Sequence, residues 1–251
     1  MHVLLRDPYY RTLEVIYRRG APVRLSDGTQ VRLHPRFLGM SPEAYEPAVT
    51  ALLARHLRVG STVVDVGAHV GLHTLMFSRR VGSAGRIIAV EPSPASVGLL
   101  RRHLIWNKCI NVNVIEAAAG NREGVIEFSY RANPMDPGGF ANSLAYDIGG
   151  IKRRVSMRTL DAICDGLLPD VIKIDVEEVE LIVLQGAKEL LDRAAPTLLI
   201  AVHPEPMRTL GAAPADLITF LEARGYSGHH LDGRPAIEVG FEEICFERRE
   251  R

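Results

Sequence analysis

From about residue 60 onward, short runs of β-branched and aliphatic residues alternate with stretches of helical periodicity, and this rhythm restricts the chain more than any other feature. It is the pattern of successive βαβ units, which lay down a mostly parallel sheet with helices on its faces. The spacing predicts strands at Thr62 to Val66, Arg86 to Glu91, Asn111 to Ala117, Val171 to Val176 and Thr197 to His203. Helices are expected near Val70 to Arg80, Pro94 to Asn107, Glu178 to Leu191 and Pro214 to Arg224. Pro94 and Pro214 fall in a first helical turn, where a missing N–H costs nothing. The strands lack apolar/polar alternation, as expected where both faces are buried.

With 251 residues, 47% of them hydrophobic, one large α/β domain is expected over 51–251, preceded by a small helix-and-hairpin extension over 1–50. The hairpin turns at Asp27-Gly28, a pair that accepts the positive φ of a tight turn. Residues 121–160 interrupt the rhythm: "VIEFSY" and "RRVSMRTLDAI" flank a loop too long for a mere connection, read here as a substrate-binding insertion. The final "GHHLDGRPAIEVGFEEICFERRER" suggests an antiparallel pair closing the sheet edge.

Thirty basic and thirty acidic residues cancel, so the charge balance gives no nucleic-acid footprint. Cys109, Cys164 and Cys245 stand far apart, without the spacing of a zinc site, which points to a reducing, cytoplasmic setting. The first residues lack the long apolar centre of a secretory signal, and no run reaches the roughly 18 apolar residues of a membrane span. Stable membrane insertion is therefore not expected.

The chemistry concentrates in "VVDVGAHVGLHTL", residues 63–75. In an open parallel sheet, ligands bind beyond the carboxyl ends of the strands, where strand order reverses. Gly67 and Gly71 let the backbone turn sharply there, and the following helix points free N–H groups at whatever it meets. Glu91, ending the next strand in "IIAVEPSP", could accept both hydroxyls of a ribose. A dinucleotide fingerprint needs GxGxxG, but the corresponding positions are Gly67, His69 and Leu72. That mismatch argues against NAD and leaves room for a methionine-derived ligand, which has no pyrophosphate.

These stretches, with "TLDAI", "DVIKIDVEEVELIVLQGA" and "PTLLIAVHP", resemble in order and spacing the FkbM family of S-adenosylmethionine-dependent methyltransferases, over about residues 60 to 205. The resemblance implies the class I methyltransferase, Rossmann-like α/β fold: a mostly parallel seven-stranded sheet with an antiparallel last strand and helices on both faces. It implies S-adenosylmethionine as cofactor and O-methylation of a sugar or secondary metabolite, hence a small-molecule or glycan acceptor, and it allows a homodimer. It places Asp65, Gly67, Ala68 and Gly71 around the methionine part, with His69 where the family usually has Asn. Glu91 falls on the ribose, and Glu116 and Ala117 border the adenine. Thr74 bonds either the cofactor carboxylate or a preceding helix carbonyl.

Methyl transfer to a hydroxyl requires in-line positioning and a route for the proton. Asp175, ending "VIKIDV", is the first candidate base or orienter and also borders the cofactor. Glu177, at a helix start, and His203, in "AVHPEP", are the other catalytic candidates. Lys173 is expected to pair with a carboxylate. Asp175, Glu177 and His203 could converge on a cation, but no spacing demands one, and no metal is expected. Glu178 replaces the family's glycine in "DVEG" and Ala201 replaces an acid, so a catalytically silent cofactor-binding or assembly module is the alternative.

Overall fold

The computed structural model describes residues 6–130, 132 and 150–248. The expected loop over 131–150 therefore lies almost wholly outside the described residues.

In chain order the elements are α1 (Arg6–Ile16), β1 (Ala21–Arg24), β2 (Gln30–Leu33), two 3₁₀ turns (Pro35–Gly39 and Pro42–Ala44), α2 (Pro47–His56), β3 (Thr62–Val66), α3 (Leu72–Val81), β4 (Arg86–Val90), α4 (Pro94–Asn107) and β5 (Val112–Ile115). There follow β6 (Ala118–Ala119), β7 (Gly124–Tyr130), β8 (Ile151–Arg158), α5 (Leu160–Ile163), β9 (Val171–Ile174), α6 (Glu180–Gln185), α7 (Lys188–Ala194), β10 (Thr197–Val202), α8 (Pro204–Thr209), α9 (Pro214–Glu222), β11 (Tyr226–His230) and β12 (Glu242–Arg248).

The main sheet has the order β11-β12-β10-β9-β3-β4-β5. Pairings from β10 through β9, β3 and β4 to β5 are parallel, whereas β12 runs antiparallel to both β10 and β11. This is the class I methyltransferase fold. The last strand is inserted between β10 and β11, and the expected antiparallel pair closes that edge of the sheet. Strands β3, β4, β9 and β10 are buried along nearly their whole length, which explains why their sequences show no alternation. Two apolar layers cover the faces: one gathers α6, α7 and α9 residues over β9 and β10, the other α3 and α4 residues over β3 and β4.

The second layer also takes in Leu33, Phe37 and Leu53, so the N-terminal elements share its core. Their hairpin turns where expected: Gly28 has φ +84°, and the Asp27 carboxylate accepts from the Thr29 N–H at 2.8 Å. Asn107 and His103 on α4 tie β2 down, accepting from the N–H of Arg32 at 2.8 Å and of His34 at 2.9 Å.

Two expected elements are divided. The helix read over Glu178 to Leu191 breaks after Gln185, because Gly186 packs on β6's continuation: a Cβ there would stand 1.9 Å from the Gly120 carbonyl oxygen. α7 then restarts with the Asp161 carboxylate accepting from its Leu190 N–H at 2.8 Å. The strand read over Asn111 to Ala117 leaves the main sheet at Glu116, and Ala118–Ala119 joins β8 and β7 in a separate three-stranded sheet.

Candidate active site

Strand order reverses about β3: the chain runs outward through β4 and β5, then returns to place β9 on the other side of β3. A cavity of about 480 Å³ opens at the carboxyl ends of these strands. Its position is the one that open α/β sheets reserve for ligands.

The turn after β3 forms its floor. Gly67 and Gly71 have φ of +80° and +89°, and His69 also takes a positive φ of 47°. The glycines serve the protein's own packing more than ligand clearance. A Cβ on Gly67 would lie 1.8 Å from the Asp175 carbonyl oxygen, and one on Gly71 would lie 2.3 Å from Leu100 Cδ1. α3 begins at Leu72, two residues later than expected, because Gly71 serves as a left-handed N-cap.

Most of the expected site residues come together. Asp65, Gly67, Ala68, His69 and Gly71 line one part of the cavity; Glu91 and Ala117 another; Asp175, Glu177 and His203 a third. Two do not. Glu116 is exposed and pairs with Arg101 at 3.2 Å, because the chain leaves the sheet there and turns its side chain to solvent; Ala118, Ala119 and Phe128 join Ala117 on that wall instead. Thr74 is fully buried behind the cavity, and its hydroxyl donates to Asp65 Oδ2 at 2.5 Å rather than to a helix carbonyl.

Asp65 is 1% exposed, and its Oδ1 has no hydrogen-bond partner among the described residues. Burial raises its pKa. Across the β3–β9 ladder it stands in register with Lys173, whose Nζ lies 2.9 Å from Asp175 Oδ2. Burial opposes the charges of both members of that pair. The attraction prevails, holding Lys173 above and Asp175 below its usual range. A carboxylate so held is a weak base. Glu91 is buried, and each of its oxygens accepts one backbone N–H at 2.8 Å, Oε1 from Ser93 and Oε2 from His69. Each carboxylate oxygen keeps a further lone pair.

His203 is held differently. Its Nδ1 lies 2.6 Å from Oε1 of Glu180, whose side chain is 0% exposed, and Phe241 meets its ring edge-on at 4.9 Å. Burial pulls the imidazole down, but Glu180 outweighs it and the pKa is raised.

Several lining residues carried no sequence signal. Tyr45 and Glu46 come from the segment before α2, Phe241 from just before β12, Glu243 from its start, and His73 from α3. His73 Nε2 lies 3.5 Å from Glu46 Oε2, and burial drives its pKa down to about 3, leaving the ring neutral. Glu177, expected at a helix start, instead takes a positive φ of 64°, and α6 begins only at Glu180. Among the described residues, no group of three His, Cys, Asp or Glu side chains is placed to hold a metal ion.

The Methyltransferase FkbM domain model matches residues 65–227. The chain belongs to the FkbM family of S-adenosylmethionine-dependent methyltransferases. No curated protein matches it. Among solved structures, the FkbM methyltransferase of Methylobacillus flagellatus KT is 21% identical with a TM-score of 0.49, covering 98% of this chain and 60% of its own. The chain thus spans 60% of that relative's length. A Clostridium thermocellum protein assigned as an rRNA methylase is 11% identical with a TM-score of 0.53, covering 81% and 94%. A SAM-dependent methyltransferase from Aquifex aeolicus is 18% identical, TM-score 0.45, over 78% and 86%. At these identities the likeness concerns the fold.

The cavity suits the family's cofactor. It has an unpartnered buried carboxylate oxygen for an ammonium, a strand-end carboxylate for ribose hydroxyls, and small apolar side chains at Ala117, Ala118 and Ala119 for a flat base. No helix among the described residues is long and apolar enough to cross a membrane.

Proposed function

We propose that this FkbM-family protein transfers a methyl group to a hydroxyl of a sugar or secondary metabolite, with His203 as the general base. The observation that carries this reading is His203 on the cavity wall with Glu180 held against its Nδ1. S-adenosylmethionine, when bound, supplies the electrophilic methyl; Asp65, His69 and the Gly67–Gly71 turn would hold its methionine part, Glu91 its ribose and Ala117 its adenine. The chain then has two tasks, aligning the acceptor and receiving its proton.

A hydroxyl is a poor nucleophile until its proton has somewhere to go. Glu180 engages Nδ1, which leaves Nε2 of His203 as the ring nitrogen that accepts that proton, and the buried carboxylate stabilises the resulting imidazolium. Asp175, committed to Lys173, orients the acceptor instead. Glu177 adds negative potential at the same wall.

Two observations oppose the reading as a catalytically silent module. Glu178 is buried but does not line the cavity, so its bulk stays out of the presumed reaction space. Ala201 does line the cavity, but His203 two residues later supplies the polar contact. A small acceptor rather than nucleic acid is supported by the acidic lining, with Glu46, Asp175, Glu177 and Glu243 against Lys173. A cytoplasmic setting is supported by the three free cysteines.

The test is transfer of labelled methyl from S-adenosylmethionine into pooled sugars and metabolites, with products examined for base-stable methyl ethers. His203→Ala should abolish nearly all label while S-adenosylhomocysteine still binds. Cofactor binding with no labelled product from any pool would sink the catalytic reading.

A further inference from the structure

Asp65 on β3 and Glu46, from the segment leading into α2, both line the cavity, and among the described residues neither pairs with a Lys or Arg at salt-bridge distance. Asp65 Oδ2 is occupied by Thr74, but Oδ1 is buried without a partner among the described residues. The Glu46 carboxylate receives the Tyr45 hydroxyl and faces His73, which is neutral. Three carboxylates, those of Asp175, Asp65 and Glu46, act on the single ammonium of Lys173, and Asp175 holds it directly at 2.9 Å. The same three line one cavity with Lys173 and Tyr45. Burial raises the pKa of both Asp65 and Glu46, so a negative charge there is costly until a cation meets it.

We propose that Glu46 and Asp65 together seat the α-ammonium of the methyl donor, so that a residue outside the family-matched region completes the cofactor site. The inference rests on the functional reading above. An ammonium brings a full positive charge and three N–H donors, which meet the Asp65 Oδ1 lone pairs and the Glu46 carboxylate together. A neutral or anionic group would leave the excess charge in place. Glu46 precedes residues 65–227, so the seat is a feature of this chain's N-terminal segment.

The experiment compares two ligands by calorimetry on the full chain: S-adenosylhomocysteine, and its analogue with the α-ammonium replaced by hydrogen. The unaltered protein should bind the first at least about 10-fold more tightly. Glu46→Gln preserves volume and can still accept from Tyr45. It should remove most of that preference by weakening S-adenosylhomocysteine and leaving the analogue's affinity unchanged. Equal affinity of the unaltered protein for the two ligands overturns the seat whatever the variant does, and so does a Glu46→Gln effect that is nil or equal for both. Failure of the unaltered protein to bind S-adenosylhomocysteine overturns the functional reading, and the seat with it.

Discussion

His203 and Glu180 lie 23 residues apart in sequence, at the end of β10 and the start of α6, yet their Nδ1 and Oε1 atoms are 2.6 Å apart. Glu180 is fully buried and its Oε2 has no partner among the described residues, while its Oε1 meets this histidine. Such an arrangement fixes the ring and raises its proton affinity, which a residue that merely filled space would not require.

Glu180→Gln should therefore change the pH profile as well as the rate. Loss of the carboxylate lowers the His203 pKa, moving the rising limb of kcat against pH toward acid. The base on the plateau is then weaker, and turnover should fall by roughly 10- to 100-fold, within the usual range for general base catalysis. A lower rate with an unmoved profile would assign Glu180 to packing alone.

Glu91 makes a prediction about stability. Burial pushes it up to about 7 from 4.5, against the two backbone N–H bonds. The folded protein thus keeps a proton on Glu91 up to about pH 7, whereas the unfolded chain releases it near 4.5. This contribution is fully present below pH 4.5 and is lost as pH rises to 7, which at about 1.4 kcal/mol per tenfold change in proton affinity amounts to roughly 3 kcal/mol. In urea unfolding without cofactor, Glu91→Gln should gain on the unaltered protein between pH 4.5 and 8 by about that much. It should also weaken S-adenosylhomocysteine binding by roughly 1.5 to 3 kcal/mol. A stability difference independent of pH would remove the buried titration.

The sheet was readable because its strands obey local rules: β3 occupies Thr62–Val66 and α4 Pro94–Asn107, as their composition and the Pro94 start predict. The breaks at Gly186 and Glu116 were not readable, since each depends on a partner distant in sequence, Gly120 in one case and β8 in the other. The same division holds in the site. Asp65, Glu91, Asp175 and His203 end strands, and strand ends converge by topology. Thr74 and Glu116 do not line the cavity, because a resemblance gives a position along the chain but not what the side chain there meets. Tyr45, Glu46 and Phe241 reach the cavity from irregular segments, where no periodicity announces direction.

Gly67→Ala and Gly71→Ala should differ in severity. Both positions have positive φ, so both substitutions are strained. At Gly67 the new methyl meets a backbone carbonyl at 1.8 Å, which cannot yield without parting β3 from the chain after β9. At Gly71 it meets the end of the Leu100 side chain, which can rotate. Gly67→Ala should cost about 3 kcal/mol or more and abolish cofactor binding, and Gly71→Ala about 1 to 2 kcal/mol. Thermal unfolding of the two variants side by side checks the order, and a reversed ranking would contradict it.

Thr74→Val should weaken cofactor binding although Thr74 does not line the cavity. Its hydroxyl is the donor to Asp65 Oδ2, and without it both carboxylate oxygens are buried and unpartnered. The carboxyl, already raised by burial, rises further and becomes more often neutral, which removes the charge an ammonium would meet. Stability should fall by about 1 to 3 kcal/mol. S-adenosylhomocysteine affinity should drop most at low pH and recover as pH rises, because ionisation of Asp65 restores the negative charge. Thr74→Ser keeps the hydroxyl and should retain near-full affinity at every pH, its cost confined to one lost methyl. If Thr74→Ser weakens binding as much as Thr74→Val, the link through Asp65 fails and packing around α3 is the cause.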